Sequence, residues 1–247
     1  MIKKTDKPQG ELVFGINSIV ELLTAKRRKL ISIYTTRPTP KAWEKIERLL
    51  PERPVVPIQY VSREVLNKIA GTTDHQGVLA WAQPFIYRKK PFDPAKQKHI
   101  VMLDGIQDSR NLGAVLRSAY CTGFDGVIIT QKGASPLNAS AIKASAGLAE
   151  HVEIYLSSSA QAAVQELKQA GYHLYMAAFN GENAAKVAYK ESLCLVIGSE
   201  GSGISPAILK TGTQVTLPQI SPRVSYNASV AAGILLFLVA TQLDIVK

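Results

Sequence analysis

Apolar and polar positions along this chain fall into short blocks that switch repeatedly between the period of a strand and that of a helix. In the first third, Val13-Phe14 leads into a helix predicted over Asn17 to Lys26. Leu30 to Thr35 is β-branched and reads as a strand, and Pro40 to Leu50 as a helix with proline near its start. Val55 to Val61 reads as a strand, Ser62 caps a helix running to Ile69, and Gly77 to Ala82 closes the series as another strand. From His99 the alternation is strict. Strands are predicted at Ile100 to Leu103, Gly126 to Thr130, Val152 to Tyr155, Tyr172 to Ala178, Leu193 to Ile197 and Gln214 to Leu217. Helices fall between most of them, at Leu112 to Cys121, Asn138 to Ala146, Ala160 to Gln169 and Ala228 to Leu243. Short, continuously apolar strands separated by helices predict an α/β fold with a mostly parallel sheet covered on both faces. Ligands of such sheets sit beyond the carboxyl ends of the strands. The loops at those ends are Asp104 to Asn111, Gly198 to Gly203 and Pro218 to Asn227.

Between the two series, residues 83–94 hold three prolines and the adjacent cations Arg88, Lys89 and Lys90, the composition of an exposed linker. The expected organisation is a smaller α/β domain over 1–83, a linker over 84–98 and a larger α/β domain over 99–247. Charge follows that division. Residues 1–98 carry 19 Lys/Arg against 9 Asp/Glu, whereas residues 99–247 carry 10 of each. The whole net charge of +10 thus belongs to the first part, which suits contact with a polyanion, or more blandly a solubilising surface. A 247-residue chain that is 46% hydrophobic is long enough for one large α/β domain or two modest ones, with a well-filled core. Residues 1–10 are polar and basic and do not read as a secretory signal. The uncharged run Val224 to Leu243 contains Asn227 and Gln242 and reads as a buried helix, not a membrane span. Cys121 and Cys194 read as reduced core residues of a cytoplasmic protein. The four histidines lack ligand spacing, so no metal site is expected.

The three loops carry the candidate chemistry. In the first, Asn111 is a candidate helix N-cap. Leu112, Val115, Leu116 and Ala119 share a core face, with Gly113 and Arg117 one turn apart on its flank. Gly113 leaves room for a ligand, and Arg117 can hold a phosphate through paired donors or, as a plain surface arginine, pair with an acid. In the second, three glycines surround Glu200. They free the backbone for a ligand or simply make a turn. Their GxxGxG order matches neither a dinucleotide fingerprint nor a P-loop, which disfavours an NAD-type oxidoreductase. In the third, Ser225, Asn227 and Ser229 offer neutral donors and acceptors and double as helix caps. No Ser-His-Asp triad and no paired carboxylates for hydrolysis are visible. Such a site suits the positioning of two large substrates for group transfer.

Asn111-Leu-Gly-Ala-Val-Leu-Arg117, Ile197-Gly-Ser-Glu-Gly201, and Leu217-Pro218 with Ser225-Tyr-Asn227-Ala-Ser229-Val-Ala resemble motifs 1, 2 and 3 of the SpoU/TrmH family of RNA 2′-O-ribose methyltransferases. Phe14-Gly-Ile-Asn-Ser-Ile-Val-Glu-Leu-Leu and His75-Gln-Gly-Val resemble the substrate-binding domain of its RlmB-like subfamily, which methylates a guanosine ribose in 23S rRNA. The resemblance implies a trefoil-knotted (SPOUT-type) second domain whose C-terminal segment threads through a loop. It also implies a homodimer formed through the terminal helix. S-adenosylmethionine would lie against Ala178, Phe179, Gly198, Leu217, Ile220, Tyr226 and Ser229. Arg117 matches the catalytic arginine, Asn111 and Glu200 match residues shaping the site, and Ser225 and Asn227 match residues near the reacting ribose. Tyr226 and Ala228 depart from the family's Leu and Val, and the loop at 221–224 lacks the usual glycine. The alternatives are a tRNA ribose methyltransferase and a non-catalytic RNA-binding or ribosome-assembly factor.

Overall fold

The computed structural model describes residues 10–221 and 225–246. Most of the polar start of the chain, and Pro222, Arg223 and Val224 of the third loop, lie outside the described residues. The chain forms two compact units. One comprises the chain up to Ile86 together with Asn138–His151, the other Tyr87–Leu137 with Val152 onward.

The first unit contains β1 (Glu11–Phe14), α1 (Ile16–Ala25), β2 (Leu30–Thr35), α2 (Trp43–Glu47), β3 (Ile58–Tyr60), α3 (Arg63–Ala70) and β4 (Val78–Ala82). Its four strands lie in the order β1-β4-β2-β3, with β4 antiparallel to β1 and β2, and β3 parallel to β2. The predicted elements are present with trimmed ends. β3 is shorter than Val55 to Val61 because prolines 54 and 57 bring no N–H to a ladder, and Val55 stands exposed. The Ser62 cap forms as read: its hydroxyl accepts from the Val65 N–H at 3.4 Å.

His75 is wholly buried in this unit. Its Nδ1 accepts from the Gly77 N–H at 3.0 Å, so its Nε2 carries the proton and donates to Asn67 Oδ1 at 2.7 Å. Burial lowers the His75 pKa below its ordinary value, and the nearby Arg63 lowers it further. The unfolded chain therefore binds a proton below about pH 6.5 that the folded site refuses. The stability His75 contributes is complete above that pH and lost as the pH falls below it. Burial lowers His99 in the other unit as well, so a comparison with His75→Gln isolates the first effect. We expect melting temperatures of the wild type to fall more steeply than those of His75→Gln between about pH 7 and pH 5.

The second unit contains β5 (His99–Asp104), α4 (Ser109–Cys121), β6 (Gly126–Thr130), β7 (Glu153–Ser157), α6 (Ala160–Ala170), β8 (His173–Asn183), β9 (Leu193–Gly198), α7 (Pro206–Leu209), β10 (Thr213–Thr216) and α8 (Ala228–Gln242). In chain order α5 is the short helix Ala139–Ala144, which belongs to the first unit along with the 3-10 turn Leu148–His151. All six strands are parallel, in the order β10-β8-β9-β5-β6-β7. Their apolar runs are buried: Ile100, Met102, Val196 and Met176 pack with Ala163 and Leu167 of α6. Helix α8 packs on α4, with its Leu235, Leu236 and Val239 buried and its Gly233 lying against Ser118. β8 runs past the predicted Ala178 to Asn183 because β10 pairs with it in two registers, shifting between Gln214 and Val215.

Two readings need correction. Residues 87–98 of the expected linker are not an exposed tether. Arg88 donates its backbone N–H to the Ile154 carbonyl at 2.7 Å, and Phe92 is buried. Phe92 seats so closely over Gly126 that a Cβ there would lie 2.3 Å from its ring. Cys121 is exposed, because the apolar stripe of α4 ends at Ala119. Cys194 is buried as expected, and burial raises its thiol pKa. Among the described residues no helix is long and apolar enough to cross a membrane.

Candidate active site

The sheet order reverses direction at β5. The chain proceeds from β5 to β6 and β7 on one side, while β9, β8 and β10 lie on the other. The crevice beyond the carboxyl ends of β5 and β9 is therefore a topological switch point, where α/β sheets bind their ligands. Asp104 and Gly198, the last residues of the two strands, are register partners there.

Two of the polar segments meet at this place. Asn111 does not cap α4 as its position suggested. Asp108 does, its carboxylate accepting from the Arg110 N–H at 2.7 Å while its carbonyl takes the Leu112 N–H at 3.0 Å. That bond to the Arg110 amide holds the Asp108 carboxyl below its usual pKa. Asn111 is left in the first turn with its amide free to reach outward, and its Nδ2 donates to Glu200 Oε1 at 2.5 Å. Glu200 sits at the tip of a tight turn. Ser199 and Gly203 exchange both backbone hydrogen bonds, at 3.1 and 3.0 Å, and Gly203 takes φ +67°. Gly198 is required for another reason: a Cβ on it would lie 2.1 Å from the Gly203 carbonyl carbon. The buried Asp104 anchors the far side of the loop by accepting the Ser205 N–H at 2.8 Å. Sequence reasoning passed over Asp108 and Asp104 as individuals, although an Asp three residues before Asn111 was an equally good cap signal.

Arg117 is exposed on α4, six residues along from Asn111, and makes no hydrogen bond or ion pair among the described residues. Gly113 is buried, not open to a ligand from the flank of the helix. The third segment starts α8: Asn227 is its N-cap, and Oδ1 accepts from the Ser229 N–H at 2.9 Å, the Ser229 hydroxyl at 2.7 Å and the Val230 N–H at 3.4 Å. With Oδ1 so occupied, the group Asn227 has to offer a substrate is its NH2. Ser225 and Tyr226 are exposed beside it.

The residues predicted to hold a cofactor come from β8, β9 and the chain following β10. The Phe179 carbonyl accepts from Thr216 Oγ1 at 3.1 Å, tying the end of β10 to the middle of β8. Beyond them Phe179 is 67% exposed and Tyr226 44%, and Ile220 is fully exposed, so large apolar side chains stand uncovered near the polar loops. Ala178 and Leu217 are half-buried. Exposed apolar faces suit an adenosyl group better than a phosphate, which Glu200 would repel. A cavity of about 500 Å³ lies elsewhere, lined by Lys168, His173 and Lys190 among others, and none of the predicted site residues faces it. Among the described residues no cluster of three or more His, Cys, Asp or Glu could hold a metal ion.

The profile of the SpoU rRNA Methylase family matches residues 98–237, and that of the RNA 2′-O ribose methyltransferase substrate-binding domain matches residues 12–88. The chain belongs to the SpoU/TrmH family. It is accordingly an RNA 2′-O-ribose methyltransferase of that family. A relative from Bacillus subtilis, provisionally named a TrmH family tRNA/rRNA methyltransferase (YacO), is 30% identical over 237 residues, covering 93% of this chain and 94% of its own. Among solved structures, an RNA 2′-O ribose methyltransferase superposes with a TM-score of 0.81 at 22% identity, covering 95% of this chain and 89% of its own. An AdoMet-bound rRNA methyltransferase from Sinorhizobium meliloti gives 0.78 at 19% identity over 95% and 88%. A structure concerned with 2-OH methylation of C/U34 on tRNA gives 0.55 at 22% identity, covering 61% of this chain and 99% of its own. The SpoU/TrmH fold thus accounts for both the parallel sheet and the separate N-terminal unit.

Proposed function

We propose that this SpoU/TrmH enzyme transfers a methyl group from S-adenosylmethionine to the ribose 2′-hydroxyl of a guanosine in 23S rRNA, in the cytoplasm. The observation that carries the reading is the Asn111–Glu200 hydrogen bond, which joins the first and second motif segments at the switch point of the sheet. The choice of rRNA is supported by extent. Likeness to the rRNA enzyme covers 95% of this chain and that to the tRNA-related structure 61%, and the basic first unit is what a large folded RNA would use.

S-adenosylmethionine supplies an electrophilic methyl group on a sulfonium centre. Ala178, Phe179, Gly198, Leu217, Ile220, Tyr226 and Ser229 are the residues that would hold it, through backbone groups and apolar faces. Arg117 grips a phosphate next to the target ribose and fixes the direction of the 2′-hydroxyl. The rigid fork of donors on its guanidinium orients the nucleophile and has no part as its base. Asn111 and Glu200 hold the two loops in register, and Ser225 with the Asn227 NH2 lies at the ribose. The trefoil knot of the family, threaded by its C-terminal segment, belongs to the same proposal.

So does the homodimer. Val230, Ile234 and Phe237 form a stripe on α8 at i, i+4 and i+7, each at least 37% exposed, and Tyr120 of α4 is also exposed. We expect Phe237→Asp to convert a dimer into a monomer in sedimentation equilibrium; a monomeric wild type would contradict this part.

The substrate is tested by incubating the protein with labelled S-adenosylmethionine and separate unmodified rRNA and tRNA pools, then mapping the mark. A single 2′-O-methylguanosine in 23S rRNA is expected. Label in tRNA alone would overturn the choice of RNA, and no label together with no cofactor binding would favour a non-catalytic assembly factor.

A further inference from the structure

One end of the first unit's sheet carries an arrangement that methyl transfer itself does not use. Thr35 at the end of β2 is in register with Tyr60 at the end of β3 and with Val78 at the start of β4, so the loops around Arg37, Tyr60 and Gln76 gather at one end. There the Arg37 guanidinium carbon lies 4.0 Å from the centre of the Tyr60 ring, the spacing of a cation held over an aromatic face. β3 is an edge strand, and the Tyr60 ring is 44% exposed. Arg37 is exposed too, and it makes no ion pair with an acid among the described residues. Both groups are planar and exposed, and the guanidinium brings a positive charge to the exposed ring. Gln59 beside Tyr60 is exposed, and Arg63 follows three residues later at the start of α3, also exposed. The surroundings are therefore polar and basic, unlike the apolar surround of a protein–protein hot spot. Unpaired RNA bases stack on aromatic rings and on guanidinium planes, whereas bases within a duplex have no free face to offer.

We propose that Tyr60 and Arg37 form a stacking platform for an unpaired base of the RNA substrate, with Arg63 placed for an adjoining phosphate. The proposal rests on the RNA methyltransferase reading and adds to it a specific contact in the N-terminal unit. It makes the enzyme select RNA that is single-stranded or looped at this contact.

The test uses the full chain with fluorescein-labelled single-stranded RNA of mixed sequence and a duplex of equal length at one salt concentration. Tyr60→Ala should weaken single-strand binding by about 5- to 100-fold, while Tyr60→Phe stays within about twofold of the wild type. Duplex binding and S-adenosylmethionine binding should be unchanged in both variants, which also shows that the chain has folded. Equal single-strand affinity of wild type and Tyr60→Ala would overturn the platform, leaving methyl transfer untouched and assigning the surface to a protein contact or to none. Equal losses in Tyr60→Ala and Tyr60→Phe would overturn it as well, since the hydroxyl and not the ring face would be responsible. A wild type that binds neither RNA and methylates no rRNA would bring down the methyltransferase reading itself, and the platform with it.

Discussion

Arg117→Ala should lower methyl transfer to rRNA by at least about 100-fold, the scale of removing one preorganised charged donor from a transition state. Cofactor affinity should stay within about twofold, because none of the residues assigned to the cofactor is touched. The reason lies in the placement of Arg117. It is exposed on the helix whose first turn carries Asn111, and no acid among the described residues neutralises it. An arginine so placed is available to a phosphate. Arg117→Lys should recover RNA affinity but only part of the rate, since an ammonium lacks the fork that fixes the phosphate's direction. Single-turnover rates measured beside equilibrium RNA binding separate the two effects. Full activity in Arg117→Ala would remove this residue from the mechanism in every form.

The second large effect concerns stability. Arg28 is buried in the first unit, with its side chain 1% exposed. Its Nε and Nη2 reach the two carboxylate oxygens of Glu150 at 3.1 and 2.5 Å. Nη1 donates to Glu11 at 2.8 Å and to the Gln83 carbonyl at 3.0 Å, and the Phe85 ring lies 5.6 Å away. Glu150 comes from the 3-10 turn that follows α5, so this pair ties Asn138–His151 to the strands of the first unit. Arg28→Ala would leave a buried carboxylate without its cation, a loss of about 3–5 kcal/mol. The double change Arg28→Met with Glu150→Leu should recover most of it, because removing both charges also removes their desolvation cost. Urea denaturation followed by circular dichroism measures both. A loss in Arg28→Ala below about 1 kcal/mol would show that the pair is solvated after all.

These two arginines also show what the sequence made legible. Arg117 could be singled out because its significance depends on local spacing from Asn111 and on a motif order that spans the second unit. Arg28 was counted among the basic residues of a surface, since nothing near it in the chain announces burial; its partner lies 122 residues away. The membership of α5 was hidden for the same reason. Its apolar positions fit any core, and the choice of the first unit's core is made by tertiary contacts. The strands and helices of the second unit were readable because buried parallel strands are continuously apolar and their helices are amphipathic. The cap of α4 was not, because Asp108 and Asn111 are both competent caps and only the turn bearing Glu200 decides what Asn111 does. The linker misled through its prolines and cations, while the two phenylalanines that anchor it, Phe85 and Phe92, carried the better signal.

The most direct test of the ribose chemistry is transfer to an rRNA fragment carrying a single 2′-deoxynucleotide at the mapped position, compared with the all-ribose fragment. The account predicts one labelled methyl group on the ribose form and none on the deoxy form, with equal binding of both. Label on the deoxy fragment would place the methyl group on the base and contradict the account.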